Sequence, residues 1–211
     1  MDGAYHDALA FVLRWEGGFA DDPSDHGGRT MKGVTQRVYD AWRASQGEQA
    51  GADVANITDA EVSAIYADNY WKKALCNVLQ SHIDLVQFDT AVNMGPVRAV
   101  KMLQQAVGVG ADGVFGQETQ KACSACNPPD TSARYCSIRE ALYRHFAQAP
   151  GQARFLAGWL NRLNDLRAAA GVPGYVRRGA GEVDFGETDH IERVPDISPN
   201  DPIDAWSSSG R

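Results

Sequence analysis

No apolar run in this chain of 211 residues approaches the roughly 18 residues that a membrane-spanning helix needs, so we expect no membrane insertion. The first residues carry acid where a secretory signal would carry lysine or arginine, so no export signal is visible. Cations are outnumbered as well, with 20 lysines and arginines against 27 acidic residues. Because contacts to phosphates need clustered cations, this balance argues against a sequence-independent nucleic-acid binder.

Cysteine is also scarce, with four in the chain, and their density is below that of an exported disulfide scaffold. Cys123 and Cys126 have the spacing of half a zinc site, but no second pair follows at a matching distance. The histidines, at positions 6, 26, 82, 145 and 190, show no metal-ligand spacing. We therefore expect no metal site, and we expect buried, reduced thiols at Cys76, Cys123, Cys126 and Cys136.

Helical periodicity runs through most of the chain. Tyr5, Leu9, Val12 and Glu16 are spaced by four, three and four residues, so they share one face of a first helix. Thr35 is a plausible N-cap for a second helix, and Thr58 begins a capping-box pattern for a third. Further helices are predicted at 83–94, 96–107, 117–126, 132–147 and 152–170. The fold class that this pattern indicates is mainly α.

Composition and periodicity divide the chain into three sections. Residues 1–74 form a first helical section and residues 75–170 a second one. After Gly171 the helical pattern stops, and residues 171–211 hold four of the nine prolines and eight acidic against four basic residues. We expect a loosely ordered acidic tail over 171–211, with a partner-binding arm as the alternative.

One carboxyl group lies where the first predicted helix ends. Glu16 continues the apolar face of that helix and precedes the pair Gly17-Gly18, which ends it. Partial burial and the negative end of a helix dipole both disfavour the ionised form of a carboxyl group. A carboxyl that keeps its proton near neutral pH can act as a general acid. From spacing alone, an ordinary surface glutamate before a helix end is the simpler interpretation.

A second carboxyl group follows in a polar loop rich in glycine and aspartate. Asp25 lies nine positions after Glu16, and a solvated loop keeps an aspartate ionised. Two carboxyl groups in contrasting environments are what cleavage of a glycosidic bond uses, one as acid and one as base, nucleophile or electrostatic stabiliser. Asp21 and Asp22 compete with Asp25 for the second role. The alternative for the whole loop is a turn held by aspartate side-chain hydrogen bonds.

These motifs continue along the chain in a recognisable order. They are Glu16-Gly17-Gly18, the loop at 22–30, Gly33-Val34-Thr35, Tyr70-Trp71 and the run at 88–95. Together they resemble the N-acetylmuramidase family called glycoside hydrolase family 108, which includes phage endolysins and bacterial muramidases implicated in secretion. The motifs at 103–105, 112–116 and 158–162 resemble the helical peptidoglycan-binding segment that follows in these proteins. The resemblance covers roughly residues 5–167 and favours the functional interpretation of Glu16.

The resemblance implies catalytic roles for three residues. Glu16 falls on the family's catalytic glutamate. Asp25 and Thr30 approach the Glu-x8-Asp-x5-Thr arrangement of phage T4-type lysozymes, although Thr30 comes one residue early. Either Thr30 or Thr35 would then hold the attacking water, with Asp25 taking its proton. Carboxyl groups about 6.5–9.5 Å apart would mean inversion at the sugar, whereas about 5–5.5 Å would mean a covalent intermediate.

Five further residues are candidates for saccharide binding. Tyr70 and Trp71 offer ring faces to sugars, and Gln87 and Asn93 could hydrogen-bond N-acetyl groups. Asp89 lies four residues before Asn93, so both would share one helix face toward a cleft. Core packing is the alternative for Tyr70, and a structural hydrogen bond is the alternative for Asn93.

The sequence therefore predicts a lysozyme-like helical hydrolase whose second section completes the cleft. It would act as a monomer on peptidoglycan glycan strands and stem peptides, cutting the β-1,4 bond from N-acetylmuramic acid to N-acetylglucosamine. No cofactor is needed, because acid and base are both side chains. One alternative is a lytic transglycosylase, in which Glu16 acts alone and the muramyl 6-hydroxyl replaces water. Another is a peptidoglycan-binding or secretion-accessory protein without activity.

Localisation follows from the substrate and the missing export signal. We expect synthesis in the cytoplasm and action in the periplasm or cell wall. Release of a phage endolysin through a holin would fit this, and so would a host muramidase that is exported by another route.

Overall fold

A computed structural model of the chain describes residues 3–17, 19–20, 29–49 and 51–172. Within these ranges the protein consists of eight α-helices and one small sheet, so the mainly α fold class is confirmed. The helices are α1 Gly3–Glu16, α2 Gln36–Ser45, α3 Asp59–Tyr66, α4 Ile83–Met94, α5 Pro96–Val107, α6 Gln117–Ala125, α7 Pro128–Phe146 and α8 Leu156–Ala169. Of the predicted acidic tail, only Gly171 and Val172 belong to the described residues.

The helix boundaries follow local capping chemistry. The Thr35 hydroxyl accepts a hydrogen bond from the backbone N–H of Val38 at 3.3 Å and begins α2. Thr58 and Glu61 form the reciprocal capping box that begins α3. α4 ends before Gly95, which has a φ of 87°, and α5 follows directly with Pro96 in its first turn. These predictions are confirmed.

Three local features differ from the sequence prediction. α7 begins at Pro128 and not at residue 132, because the Asn127 side chain caps it by accepting from the backbone N–H of Asp130 at 3.1 Å. α8 begins at Leu156 after a 3₁₀ turn over Ala153–Phe155. A π-helical turn over Ala67–Trp71 extends α3, and there the backbone N–H of Lys72 donates to the Ala67 carbonyl at 2.9 Å.

The sheet consists of three antiparallel strands in the order β1 Phe19–Ala20, β2 Thr30–Met31 and β3 Val34–Thr35. Thr30 pairs with Thr35, and Met31 pairs with Val34. The connecting residues Lys32 and Gly33 both have positive φ, 50° and 75°, as a two-residue type I′ hairpin turn requires. The sequence analysis predicted no strand here, because strands of two residues are too short to show alternation.

Helix α4 lies at the centre of the fold and contacts α1, α5, α7 and α8. An aromatic cluster packs against it, in which the rings of Tyr5 and Phe88 meet Trp71 edge to face with centroids 5.2 and 5.3 Å away. Trp71 is only 6% exposed. The prediction that its ring offers a face to a sugar is therefore wrong, because both neighbours come from the core.

The four cysteines are free thiols, as expected; Cys76, Cys123 and Cys136 are buried, whereas Cys126 is partly exposed. Burial raises the pKa of Cys123 and Cys136 to about 11, so these two thiols stay protonated. Among the described helices, none combines the length and apolar character that crossing a membrane requires.

Because Trp71 fills the centre of the aromatic cluster, we expect Trp71→Ala to lower the free energy of unfolding by about 3–5 kcal/mol. Trp71→Phe keeps most of the apolar volume and should cost less. Urea denaturation followed by circular dichroism measures both. A loss below about 1 kcal/mol for Trp71→Ala would contradict the core assignment.

Candidate functional site

The carboxyl group of Glu16 lies at the last residue of α1, with 11% of its side chain exposed. Its Oε1 accepts a hydrogen bond from Nη1 of Arg162 in α8 at 2.7 Å. Among the described residues, none donates a hydrogen bond to the other oxygen, Oε2. The group is therefore held by the protein on one side and does not point into bulk solvent.

The β2–β3 turn lies directly against Glu16. A Cβ atom built on Gly33 would be 3.1 Å from Glu16 Oε2 and would overlap the Tyr66 hydroxyl oxygen. The Tyr66 hydroxyl in turn donates to the backbone carbonyl of Lys32 at 2.9 Å. The missing side chain at Gly33 thus lets the turn approach the carboxyl group, and Tyr66 fixes the turn in that place.

Two tyrosines lie close enough to Glu16 for its charge to change their pKa. Burial, together with the negative charge of Glu16, raises the pKa of Tyr66 well above its usual range. The same two causes raise the pKa of Tyr70, which keeps part of its surface exposed. Both phenols therefore stay neutral at physiological pH. Tyr70 is thus a predicted saccharide-binding residue that lies near the charge of Glu16.

Arg162 connects Glu16 to a buried ion-pair network. Its Nε donates to Asp89 Oδ1 at 2.9 Å, and its Nη2 lies 2.7 Å from the same oxygen. Asp89 Oδ2 accepts from Arg139 Nη1 at 2.6 Å. Burial raises the pKa of Asp89, but the charges of Arg162 and Arg139 outweigh it and hold that pKa below the ordinary value. Asp89 is therefore an anion between two cations.

The network continues toward the surface through Tyr143. Arg139 Nη2 donates to the Tyr143 hydroxyl at 2.8 Å, and that hydroxyl donates to Asn93 Oδ1 at 2.7 Å. The ring of Tyr143 stacks on Trp159 with a centroid distance of 5.4 Å. Asn93 is half-buried, so its amide reaches both the network and the surface. Its predicted role in saccharide binding stays a prediction.

Two of the predicted saccharide-binding residues lie in the interior. Asp89 is fully buried among its arginines. Gln87 is also fully buried; its Nε2 donates to the Ala74 carbonyl at 3.0 Å, and its Oε1 accepts from the Tyr135 hydroxyl at 2.6 Å. Both predictions are wrong, because neither side chain has surface for a sugar. In α4, Gln87 and Asp89 thus face other helices and not a cleft.

Three residues were predicted to hold the attacking water or to take its proton: Thr30, Thr35 and Asp25. Thr30 lies on β2, directly opposite Thr35 of β3. The Thr35 hydroxyl oxygen is engaged as the cap of α2. Asp25 and its competitors Asp21 and Asp22 lie outside the described residues. In the part of the chain that the structure describes, no three histidine, cysteine or acidic side chains group closely enough to hold a metal ion.

Sequence reasoning missed Arg139 and Arg162 as parts of this site. The available signal was periodicity, because Trp159, Arg162, Leu163 and Leu166 share one face of α8 and all of them are buried. A cation on an apolar helix face needs a buried anion as partner. The partner could not be chosen from sequence alone.

We expect Gly33→Ala to destabilise the protein by about 1–3 kcal/mol, because alanine is strained at positive φ and its Cβ would overlap the Tyr66 hydroxyl. In a Tyr66→Phe background the same change should cost less, because the overlapping oxygen is gone. Thermal denaturation of the four proteins gives the coupling energy. Equal costs in both backgrounds would contradict the close approach.

The residues of this site lie in two regions of the chain, each matched by a different family model. The model described as Glycosyl hydrolase 108 matches residues 9–95, which include Glu16 and Asp89. The model described as Predicted Peptidoglycan domain matches residues 98–164, which include Arg139 and Arg162. The matches meet between α4 and α5, whereas our division at residue 74 stays a prediction.

Solved structures agree with this assignment, although no curated protein matches the chain. SagA of Brucella abortus is 33% identical and superposes with a TM-score of 0.67. The match covers 84% of this chain and 98% of SagA. The chain therefore belongs to the glycosyl hydrolase 108 family, and it is a glycoside hydrolase that acts on peptidoglycan.

Proposed function

We propose that the protein is a lysozyme-type N-acetylmuramidase that cleaves the β-1,4 bond from N-acetylmuramic acid to N-acetylglucosamine. One observation carries the proposal. The carboxyl group of Glu16 is nearly buried at the end of α1, with one oxygen bound by Arg162 and the other beside the hairpin turn. A general acid needs such a fixed and shielded carboxyl group.

Glu16 would donate its proton from Oε2. Oε1 accepts from a guanidinium group, which cannot accept a proton and so keeps that oxygen as an acceptor. The leaving sugar oxygen would receive the proton as the glycosidic bond breaks. Tyr66 and Tyr70, both neutral, would contribute no competing anion.

A second group must provide the nucleophile or stabilise the developing positive charge on the sugar. We propose Asp25 for this role, with Thr30 holding the water. Thr30 and Thr35 face each other on the hairpin that contacts Glu16, and the Thr35 hydroxyl caps α2. Tyr70 and Asn93 are the proposed saccharide contacts, because both keep exposed surface.

The remaining expectations follow from the substrate. We propose that the protein acts as a monomer in the periplasm or cell wall, where peptidoglycan lies. A phage endolysin that leaves the cytoplasm through a holin is the biological role that we favour. The section matched by the peptidoglycan model would grip glycan strands or stem peptides.

Glu16→Gln keeps the shape of the side chain and removes its acidic proton. We expect an unchanged circular dichroism spectrum and a loss of murein lysis of at least about 100-fold, measured as the fall in turbidity of purified murein. Glu118→Gln, at an exposed position in the first turn of α6, is the matched control and should lyse normally. Lysis retained by Glu16→Gln would mean that another residue is the acid.

Product analysis separates hydrolysis from transglycosylation. We expect mass spectrometry of digested murein to show reducing N-acetylmuramic acid ends, with water added at the cleaved bond. A transglycosylase would instead leave 1,6-anhydro ends, which are lighter by one water. Predominance of anhydro ends would refute the hydrolytic mechanism while leaving Glu16 as the acid.

A further inference from the structure

The environment of Glu16 is built from two parts of the chain that are far apart in sequence. Glu16 ends α1, in the section matched by the hydrolase model, whereas Arg162 belongs to α8, in the section matched by the peptidoglycan model. Position 162 is 146 residues beyond position 16. The peptidoglycan section therefore reaches into the candidate catalytic centre.

The guanidinium group of Arg162 has little freedom to turn. Its Nε donates to one oxygen of Asp89, its Nη2 forms an ion pair with the same oxygen, and its Nη1 donates to Glu16. Asp89 is itself clamped from the other side by Arg139, and Arg162 is only 9% exposed. Because a guanidinium group is planar, contacts at Nε and Nη2 also fix the direction in which Nη1 points.

We propose that Arg162, held by Asp89, is a positioning residue that orients Glu16 and stabilises its carboxylate after proton transfer. This inference rests on the proposed function, in which Glu16 is the general acid. It assigns to the peptidoglycan section a part in catalysis in addition to any grip on the polymer.

The balance of charges around Glu16 explains why its carboxylate would be stabilised after proton transfer. With Glu16 ionised, the two anions Glu16 and Asp89 balance the two cations Arg139 and Arg162. With Glu16 protonated, the same group carries one excess positive charge, in a place where burial makes an unbalanced charge costly. Donation of the proton to the sugar oxygen restores the balance. Tyr66 and Tyr70 also face Glu16, but both stay neutral.

The test compares Arg162→Gln and Arg162→Lys in the full chain. We expect Arg162→Gln to lower kcat on soluble murein glycan fragments by about 100-fold, with a smaller change in KM, because a misplaced acid slows the chemical step. Arg162→Lys retains the charge and should show a smaller loss of kcat than Arg162→Gln.

Arg167→Lys is the matched structural control. Arg167 lies on the same helix, is similarly buried and pairs with Glu140 of α7 at 2.8 Å. We expect it to lower the melting temperature while leaving kcat and KM of the folded enzyme unchanged. The same stability loss without a kinetic change in the Arg162 variants would overturn the inference.

The outcomes separate this inference from the proposed function. If Glu16→Gln stays active, the proposed function fails and this inference fails with it. If Glu16→Gln is inactive while folded Arg162→Gln keeps the wild-type kcat, only this inference fails. Should Arg162→Gln not fold, Arg162→Lys and Asp89→Asn decide, with kcat expressed per folded molecule: a normal kcat in both would refute a positioning role, and a reduced kcat in both would support it.

Discussion

One buried network of charges fixes the relative placement of four helices. Each helix contributes one member: Glu16 ends α1, Asp89 lies in α4, Arg139 in α7 and Arg162 in α8. Burying ions is unfavourable unless they are paired, and removing one partner of such a pair typically costs about 3–5 kcal/mol. The charges therefore constrain these helices to one arrangement, in which every ion finds its partner.

Stability alone does not account for such a network. Apolar side chains of similar volume are often as stable as a buried ion pair, or more stable. What apolar residues cannot do is hold one carboxyl oxygen at a helix end while the second oxygen lies beside a turn. In this protein the charges do that, and Gly33 lets the turn approach. The network is therefore best understood through the placement of Glu16.

The sequence predicted those features that short stretches of chain determine. The C-terminal end of α4 and the start of α5 follow from Gly95 and Pro96, and the capping threonines marked two further helix starts. The sequence did not predict which side chains far apart in the chain pair with each other. The polar residues of α4 suggested an exposed face, but Asp89 is neutralised by arginines 50 and 73 residues further along the chain. Glu16 was predicted as a site residue because its glycine motif resembled a known family. Arg162 lies in an apolar pattern, and the sequence did not show which anions it pairs with.

The two matched sections join without a linker and pack against each other, so they form one structural unit. Gly95, with its positive φ, connects α4 directly to α5 and leaves no linker between the matches. α4 belongs to the hydrolase match, yet it packs against α5, α7 and α8 of the other match. Two modules joined by a flexible linker could tether an enzyme to a polymer, but they could not hold a guanidinium 2.7 Å from a carboxyl group. The hydrolase match and the peptidoglycan match thus share one helix packing, on which the placement of Glu16 depends.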